Sequence, residues 1–148
     1  MNDAESMRLA LALAERGRGW TAPNPMVGAV IVKDGAVIGQ GWHERYGEPH
    51  AERNALAACT ADPAGATMYV TLEPCAMCAG AIVQARIPRV VVGSMNPKAG
   101  CAGSVMNLLQ EPGFNHQVEL EKGILEEECS TMLKEFFKAL RKRKSLDK

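Results

Sequence analysis

Two segments of this 148-residue chain carry side chains that could do chemistry together: His50-Ala51-Glu52 and Pro74-Cys75-Ala76-Met77-Cys78. A spacing of three puts the Cys75 and Cys78 thiols about one turn apart on one helix face. Both stand at the predicted start of that helix, where the positive end of the dipole lowers a thiol pKa and readies both as thiolates. One imidazole and two thiolates suit Zn²⁺, one ion per chain, and three protein ligands leave a fourth tetrahedral position for water. Glu52, near the same helix start as His50, could be the base for that water. Other readings stay open on spacing alone. The cysteine pair could be a thioredoxin-like redox pair. It could also be half of a structural zinc site closed by Cys59, Cys101 or Cys129. His50 alone reads as an ordinary surface or core histidine.

The elements that must position these groups follow from apolar periodicity and breakers. Residues 3–16 show one apolar helical face, ended by Gly17 and Gly19. Pro23 and Pro25 make 21–25 a loop. Residues 27–32 and 37–42 read as a hairpin around Asp34-Gly35. A helix over 52–59 and a strand over 67–72 follow. Proline opens a predicted helix over 74–85. A strand over 89–92 leads into a Gly-rich loop through Gly103. A short helix near 104–109, a strand near 117–121 and an amphipathic helix over 124–142 complete the chain. Interleaved strands and helices predict one three-layer α/β/α domain over 1–148, with a five-stranded mixed sheet and the metal between two helix starts.

Composition narrows the class. Hydrophobic residues are 47% and charged residues 23%, an ordinary globular balance. Lys plus Arg equals Asp plus Glu at 17 each, so net charge names no partner. No apolar run reaches the roughly 20 residues of a membrane helix, and the first five residues look unlike a secretory signal. Five cysteines at uneven spacing and eight methionines fit a reducing cytoplasm better than a disulfide framework.

The full pattern H-x-E…P-C-x-x-C is the known signature of zinc-dependent deaminases. At these residues the chain resembles the cytidine deaminase-like superfamily over nearly its whole length. From Ala66 onward, TMYVTLEPCAMCAGAIVQARIPRVVVGSMNPKAGCAGSVMNLLQ, FNHQVE and ECSTMLKEFFKALRKRK are similar to bacterial tRNA-specific adenosine deaminase. That resemblance implies conversion of adenosine to inosine at the wobble position of a tRNA anticodon loop, and a homodimer. TAPNPMVGAVIVKDG and GWHERYGEPHAERNAL are instead similar to the pyrimidine deaminase domain of riboflavin biosynthesis. That family carries, near its second cysteine, an insert with a basic residue that helps hold a ribose phosphate. Here the insert is missing. The tRNA enzyme has Asn after Gly-Trp, contacting the base, where this chain has His43.

The resemblance implies that His50, Cys75 and Cys78 hold zinc. Glu52 would take a proton from water, pass it to a ring nitrogen and protonate the departing ammonia. Backbone donors near Ala51 and Cys75 could orient the base. Asn24 and His43 are candidate pocket residues, because loop and strand-end positions carry binding groups and an amide matches a base edge. Plain readings compete: a turn former for Asn24 and a strand-end polar residue for His43. Trp20 and Trp42 could stack on a base, although packing is the commoner role. His116 reads as structural.

Residues 134–148 hold seven basic side chains against two acidic ones, Glu135 and Asp147. Arg141, Lys142 and Arg143, with Lys98 in NPKAGCAGS, are candidate phosphate contacts. The competing reading is dipole complementation, since Glu126, Glu127 and Glu128 open the same helix. Adenosine in a tRNA anticodon loop is the preferred substrate. The alternatives are the diaminopyrimidine ribose phosphate of flavin synthesis, a small free base or nucleoside, and a zinc-stabilised RNA-binding domain without turnover. An apolar face at Ala79, Ile82 and Val83 could serve a dimer or the core.

Overall fold

A computed structural model describes residues 1–146. Its elements, in chain order, are α1 (Asp3–Glu15), β1 (Gly28–Lys33), β2 (Ala36–Trp42), α2 (Ala51–Ala57), β3 (Thr67–Leu72), α3 (Ala76–Gln84), β4 (Arg89–Ser94), the 3-10 turn Leu108–Gln110, β5 (Glu119–Lys122) and α4 (Glu126–Leu146). The five strands form one mixed sheet in the order β2-β1-β3-β4-β5. β1 runs antiparallel to β2 and β3, while β3, β4 and β5 are parallel.

Period-two alternation sorts the strand side chains onto two faces. Ala29, Ile31, Met68, Val70, Val90 and Val92 face one layer, which α2 and α3 cover with Ala51, Ala55, Ala79 and Ile82. Val30, Tyr69 and Val91 face the other, where Met7, Ala10 and Leu13 of α1 and Cys129 of α4 cover them. This is the expected three-layer α/β/α architecture. Ala79, Ile82 and Val83 are core, at 6% exposure or less, so that face does not serve as a dimer surface.

Local chemistry sets the ends of the elements. Asn2 caps α1 by accepting from the Glu5 backbone N–H at 2.8 Å, in a capping box with the Glu5 side chain. Asp34 and Gly35 both take positive φ (51° and 79°) in the β1–β2 turn. Three boundaries differ from expectation. Pro74 lies outside α3, because Cys75 takes the extended N-cap conformation and the helix begins only at Ala76. The expected helix over 104–109 shrinks to one 3-10 turn, because Leu108 N–H, which a helix would give to the Ser104 carbonyl, bonds Cys101 instead, and Ala102 bridges to Asn107. The last helix starts at Glu126 rather than Ile124, because Leu125 holds a left-handed φ of 54°.

In α4, Cys129 is the buried residue. Ser130 meets Ser94 at 3.2 Å, and residues 127–135 then pass Glu15 at the end of α1. The rest of α4 is largely exposed, including Arg141, Lys142 and Arg143. Asp147 and Lys148 lie outside the described residues. Among the described residues, no helix is long and apolar enough to cross a membrane.

Candidate active site

His50 is the N-cap of α2 and Cys75 the N-cap of α3, both with extended backbone (ψ 165° and 176°). Neither side chain caps its own helix, which leaves both for the space between the helix starts. α2 reaches this position because β2 presents Gly39 and Gly41 beneath it. A Cβ on Gly41 would stand 2.5 Å from the Ala55 nitrogen and 2.8 Å from the Ala51 oxygen.

His50 Nδ1 lies 3.6 Å from Cys75 Sγ and 3.5 Å from Cys78 Sγ. A tetrahedral ion with Zn–S near 2.3 Å and Zn–N near 2.05 Å would separate nitrogen from sulfur by about 3.6 Å. Donor set and spacing therefore both fit zinc. Cys59, Cys101 and Cys129 stay outside this group, so no fourth cysteine closes it. The two sulfurs stand in different surroundings. The Cys78 thiol donates to the Cys75 sulfur, which pulls Cys75 down to about 5. The same bond, together with burial, raises Cys78.

Glu52 sits in the first turn of α2, 3% exposed, in the same pocket as His50 and Cys75. Burial pushes its carboxyl up to about 7, and the neighbouring Cys75 sulfur adds to the shift. A carboxyl so poised can take and return a proton near neutral pH.

The pocket has a volume of about 230 Å³. Asn24 and His43 both line it and bond each other, Asn24 Nδ2 to His43 Nε2, at 3.3 Å. Their polarity follows from a third group. His43 Nδ1 stands 3.1 Å from the Pro49 carbonyl, which can only accept. Nδ1 therefore carries the proton in the neutral ring, Nε2 accepts, and the Asn24 amide donates. The Asn24 oxygen is left to accept from a ligand. Ala51 is fully buried with its side chain in the core, and it is not part of the pocket wall. Lys98 is exposed between Asn96 and Ala99, which do line the pocket. Neither Lys98 nor Arg141, Lys142 and Arg143 enter the wall. His116 is structural, with Nε2 on the Ile87 carbonyl at 2.8 Å.

Sequence reasoning missed Glu73. This 3% exposed residue lines the pocket beside Cys75. Its carboxylate accepts from the backbone N–H groups of Asn96, Ala102 and Ser104, each at 2.9 Å, and from the Ser104 hydroxyl. Burial pushes its carboxyl up, but these four donors outweigh burial and hold it below the ordinary value. Glu73 thereby folds the 96–104 loop against the site. The available signal was an acidic residue ending an otherwise apolar strand. Trp20, expected to pack, is 59% exposed, whereas Trp42 is half-buried with the Arg16 guanidinium over its ring at 5.0 Å.

Residues 1–94 match the family described as the cytidine and deoxycytidylate deaminase zinc-binding region. The chain belongs to this family of zinc-binding deaminases. Its His50, Cys75 and Cys78 are placed to bind a metal, as a zinc-binding deaminase region requires. The chain is 50% identical over 127 residues to the tRNA-specific adenosine deaminase of Bacillus subtilis, covering 80% of this chain and 79% of that protein. It is 45% identical over 143 residues to the riboflavin biosynthesis protein RibD of Actinobacillus pleuropneumoniae, covering 93% of this chain. The match spans only 37% of that RibD. A solved Thermotoga maritima diaminohydroxyphosphoribosylaminopyrimidine deaminase/5-amino-6-(5-phosphoribosylamino)uracil reductase superposes with a TM-score of 0.79 at 37% identity. That superposition covers 95% of this chain and 42% of that one.

Proposed function

We propose that this deaminase converts adenosine to inosine in a folded RNA loop, at the wobble position of a tRNA anticodon. The observation that carries this reading is the wall of the pocket, which among the described residues includes no Lys or Arg. A phosphoribosyl substrate buried there would leave its phosphate without a cation. At about 230 Å³ the pocket is also below the ~300 Å³ at which sites for drug-sized ligands begin. One base fits that space, with sugar and phosphates outside. A base in RNA is reachable only from a loop or after flipping.

His50, Cys75 and Cys78 would hold the zinc, which when bound would supply a water of lowered pKa. Glu52 would take one proton from the attacking water as its oxygen bonds to the carbon bearing the amine, and deliver that proton to the adjacent ring nitrogen. It would then carry the remaining hydroxyl proton to the amine, so that the C–N bond breaks, ammonia leaves and a carbonyl is left on the ring. Asn24 accepts from an edge N–H of the base, held in place by His43. Lys98, Arg141, Lys142 and Arg143 lie outside the pocket and are suited to meet phosphates there. Two copies associate as a homodimer. Its support is the exposure of Met77, Val105 and Met106 (54%, 54% and 51%) on α3 and the loop beside the site. A monomer by size-exclusion chromatography at working concentration would remove the dimer.

One observation favours a second reading. The Asn24–His43 pair comes from segments that resemble the riboflavin-pathway deaminase, and that reading takes the diaminopyrimidine ribose phosphate as substrate. A side-by-side assay decides. Zinc-loaded protein is given either a tRNA with adenosine at the wobble position or the pyrimidine. Inosine is measured by nucleoside mass spectrometry and ammonia by a coupled assay. Inosine without pyrimidine turnover supports the first reading, and the reverse result replaces it with the second.

A further inference from the structure

Two loops each place one side chain in the pocket and one aromatic ring in solvent. The loop before β1 makes successive turns: Trp20 N–H bonds the Gly17 carbonyl at 3.0 Å and Asn24 N–H the Thr21 carbonyl at 2.8 Å. Thr21, between them, is fully buried. Asn24 enters the pocket, and Trp20 stands 59% exposed. The loop after β2 repeats the pattern, with His43 in the pocket and Tyr46 62% exposed. The loops are tied by the Tyr46 N–H to the Trp20 carbonyl at 3.1 Å. The Arg45 guanidinium lies over the Trp20 ring at 4.8 Å from its centroid.

We propose that Trp20, Arg45 and Tyr46 form a stacking platform for the nucleobase adjoining the one held in the pocket. This rests on the single-stranded RNA reading above. Two exposed aromatic rings and a stacked guanidinium, tied together beside the pocket residues, offer flat faces on which a base can stack. The pocket has room for one base, so the rest of a nucleic acid must lie across its mouth. Charge argues for bases over phosphates. Glu44 and Glu48 flank the same residues, so this patch is no track for an anionic backbone. Stacking tolerates such surroundings because it uses ring faces.

The test uses zinc-loaded full-length protein and a short RNA hairpin carrying the reactive adenosine in its loop. Binding is read by fluorescence anisotropy of a dye-labelled hairpin and turnover by inosine formation, each at low and high salt. The Trp20→Ala chain should bind the hairpin about tenfold more weakly, the loss expected of one base–aromatic stack. That deficit should be the same at both salt concentrations, unlike loss of a phosphate contact. Trp20→Phe should restore binding to within about twofold, and zinc content should match the parent in both variants. An abasic nucleotide beside the adenosine should weaken the parent and leave the Trp20→Ala chain unaffected. Equal binding by parent and Trp20→Ala, or a deficit that disappears at high salt, overturns the platform. So does a Trp20→Ala chain that changes only its oligomeric state, which would make the patch a contact between copies. A parent that binds the hairpin through Trp20 but forms no inosine keeps the platform and removes the proposed reaction. A parent that does not bind the hairpin removes both.

Discussion

Gly100 is pressed against the carboxylate of Glu73, so closely that a Cβ added to Gly100 would overlap it. The contact exists because Glu73 gathers its donors from both sides of Gly100, from Asn96 and from Ala102 and Ser104. Gly100→Ala must push the loop off the carboxylate. The expected cost is about 1–3 kcal/mol of stability, the usual range for overpacking. Glu73→Gln puts an amide N–H against a backbone N–H and should cost a similar ~1–3 kcal/mol. Chemical denaturation measures both, and unchanged midpoints would show that the loop does not depend on this contact.

Glu52→Gln separates metal binding from proton transfer. The substitution leaves His50, Cys75 and Cys78 in place, so zinc content should stay near one per chain. Turnover should fall by about 10²–10⁴-fold, the usual contribution of a positioned acid–base group. Cys75→Ser and Cys78→Ser should instead lower zinc content itself. Metal analysis beside initial rates distinguishes the two outcomes, and full activity in Glu52→Gln would remove Glu52 from the reaction.

A stability effect with a definite pH sign arises at the opposite end of the sheet. Asp3 receives the Tyr69 hydroxyl at 2.6 Å and the Arg89 guanidinium at 2.8 Å. The bond from Arg89, then that from Tyr69, hold the Asp3 carboxyl below its ordinary 3.8. A lowered native pKa means the unfolded chain binds more protons as pH falls, so this stabilisation is present above 3.8 and lost as pH drops through the native value. Asp3→Asn should therefore cost about 1 kcal/mol near neutral pH, a modest figure because the pair is partly exposed. The difference between the two chains should close as the pH falls through the lowered native value. Urea midpoints for both chains across pH check it, and a gap that widens in acid would contradict the assignment.

On the RNA reading, the basic end of α4 acts through charge. Replacing Arg141, Lys142 and Arg143 together by Gln should weaken tRNA binding similarly for all sequences. The slope of log affinity against log salt should fall by up to about three, one for each lost phosphate contact. An unchanged slope would leave these residues as a solvated helix end that complements the dipole.

Much of the site was legible because it is written locally. His50 and Cys75 each begin a helix, and helix starts show in sequence through breakers and apolar period. The hairpin around Asp34-Gly35 and the strand Thr67–Leu72 were readable for the same reason. Glu73 was missed because its four bonds go to residues at least 23 positions away, and no spacing rule records such contacts. Trp20 was misplaced because hydrophobicity sets a preference for burial without naming the residues left outside. The segment over 104–109 lost its helix to the bridge between Ala102 and Asn107, which takes the Leu108 N–H to Cys101.

The sequence by itself pointed to His50, Cys75 and Cys78 as a metal-binding group, to a carboxyl near them at Glu52, and to the order of strands and helices that carries them. Each depends on neighbours within a turn or a strand. Only the tertiary structure decided that Asn24 donates to His43, that Glu73 fastens the loop over the pocket, and that Trp20 and Tyr46 face solvent at adjoining turns. Those relations join residues far apart in the chain, and they exist only once the sheet has brought their loops to one end.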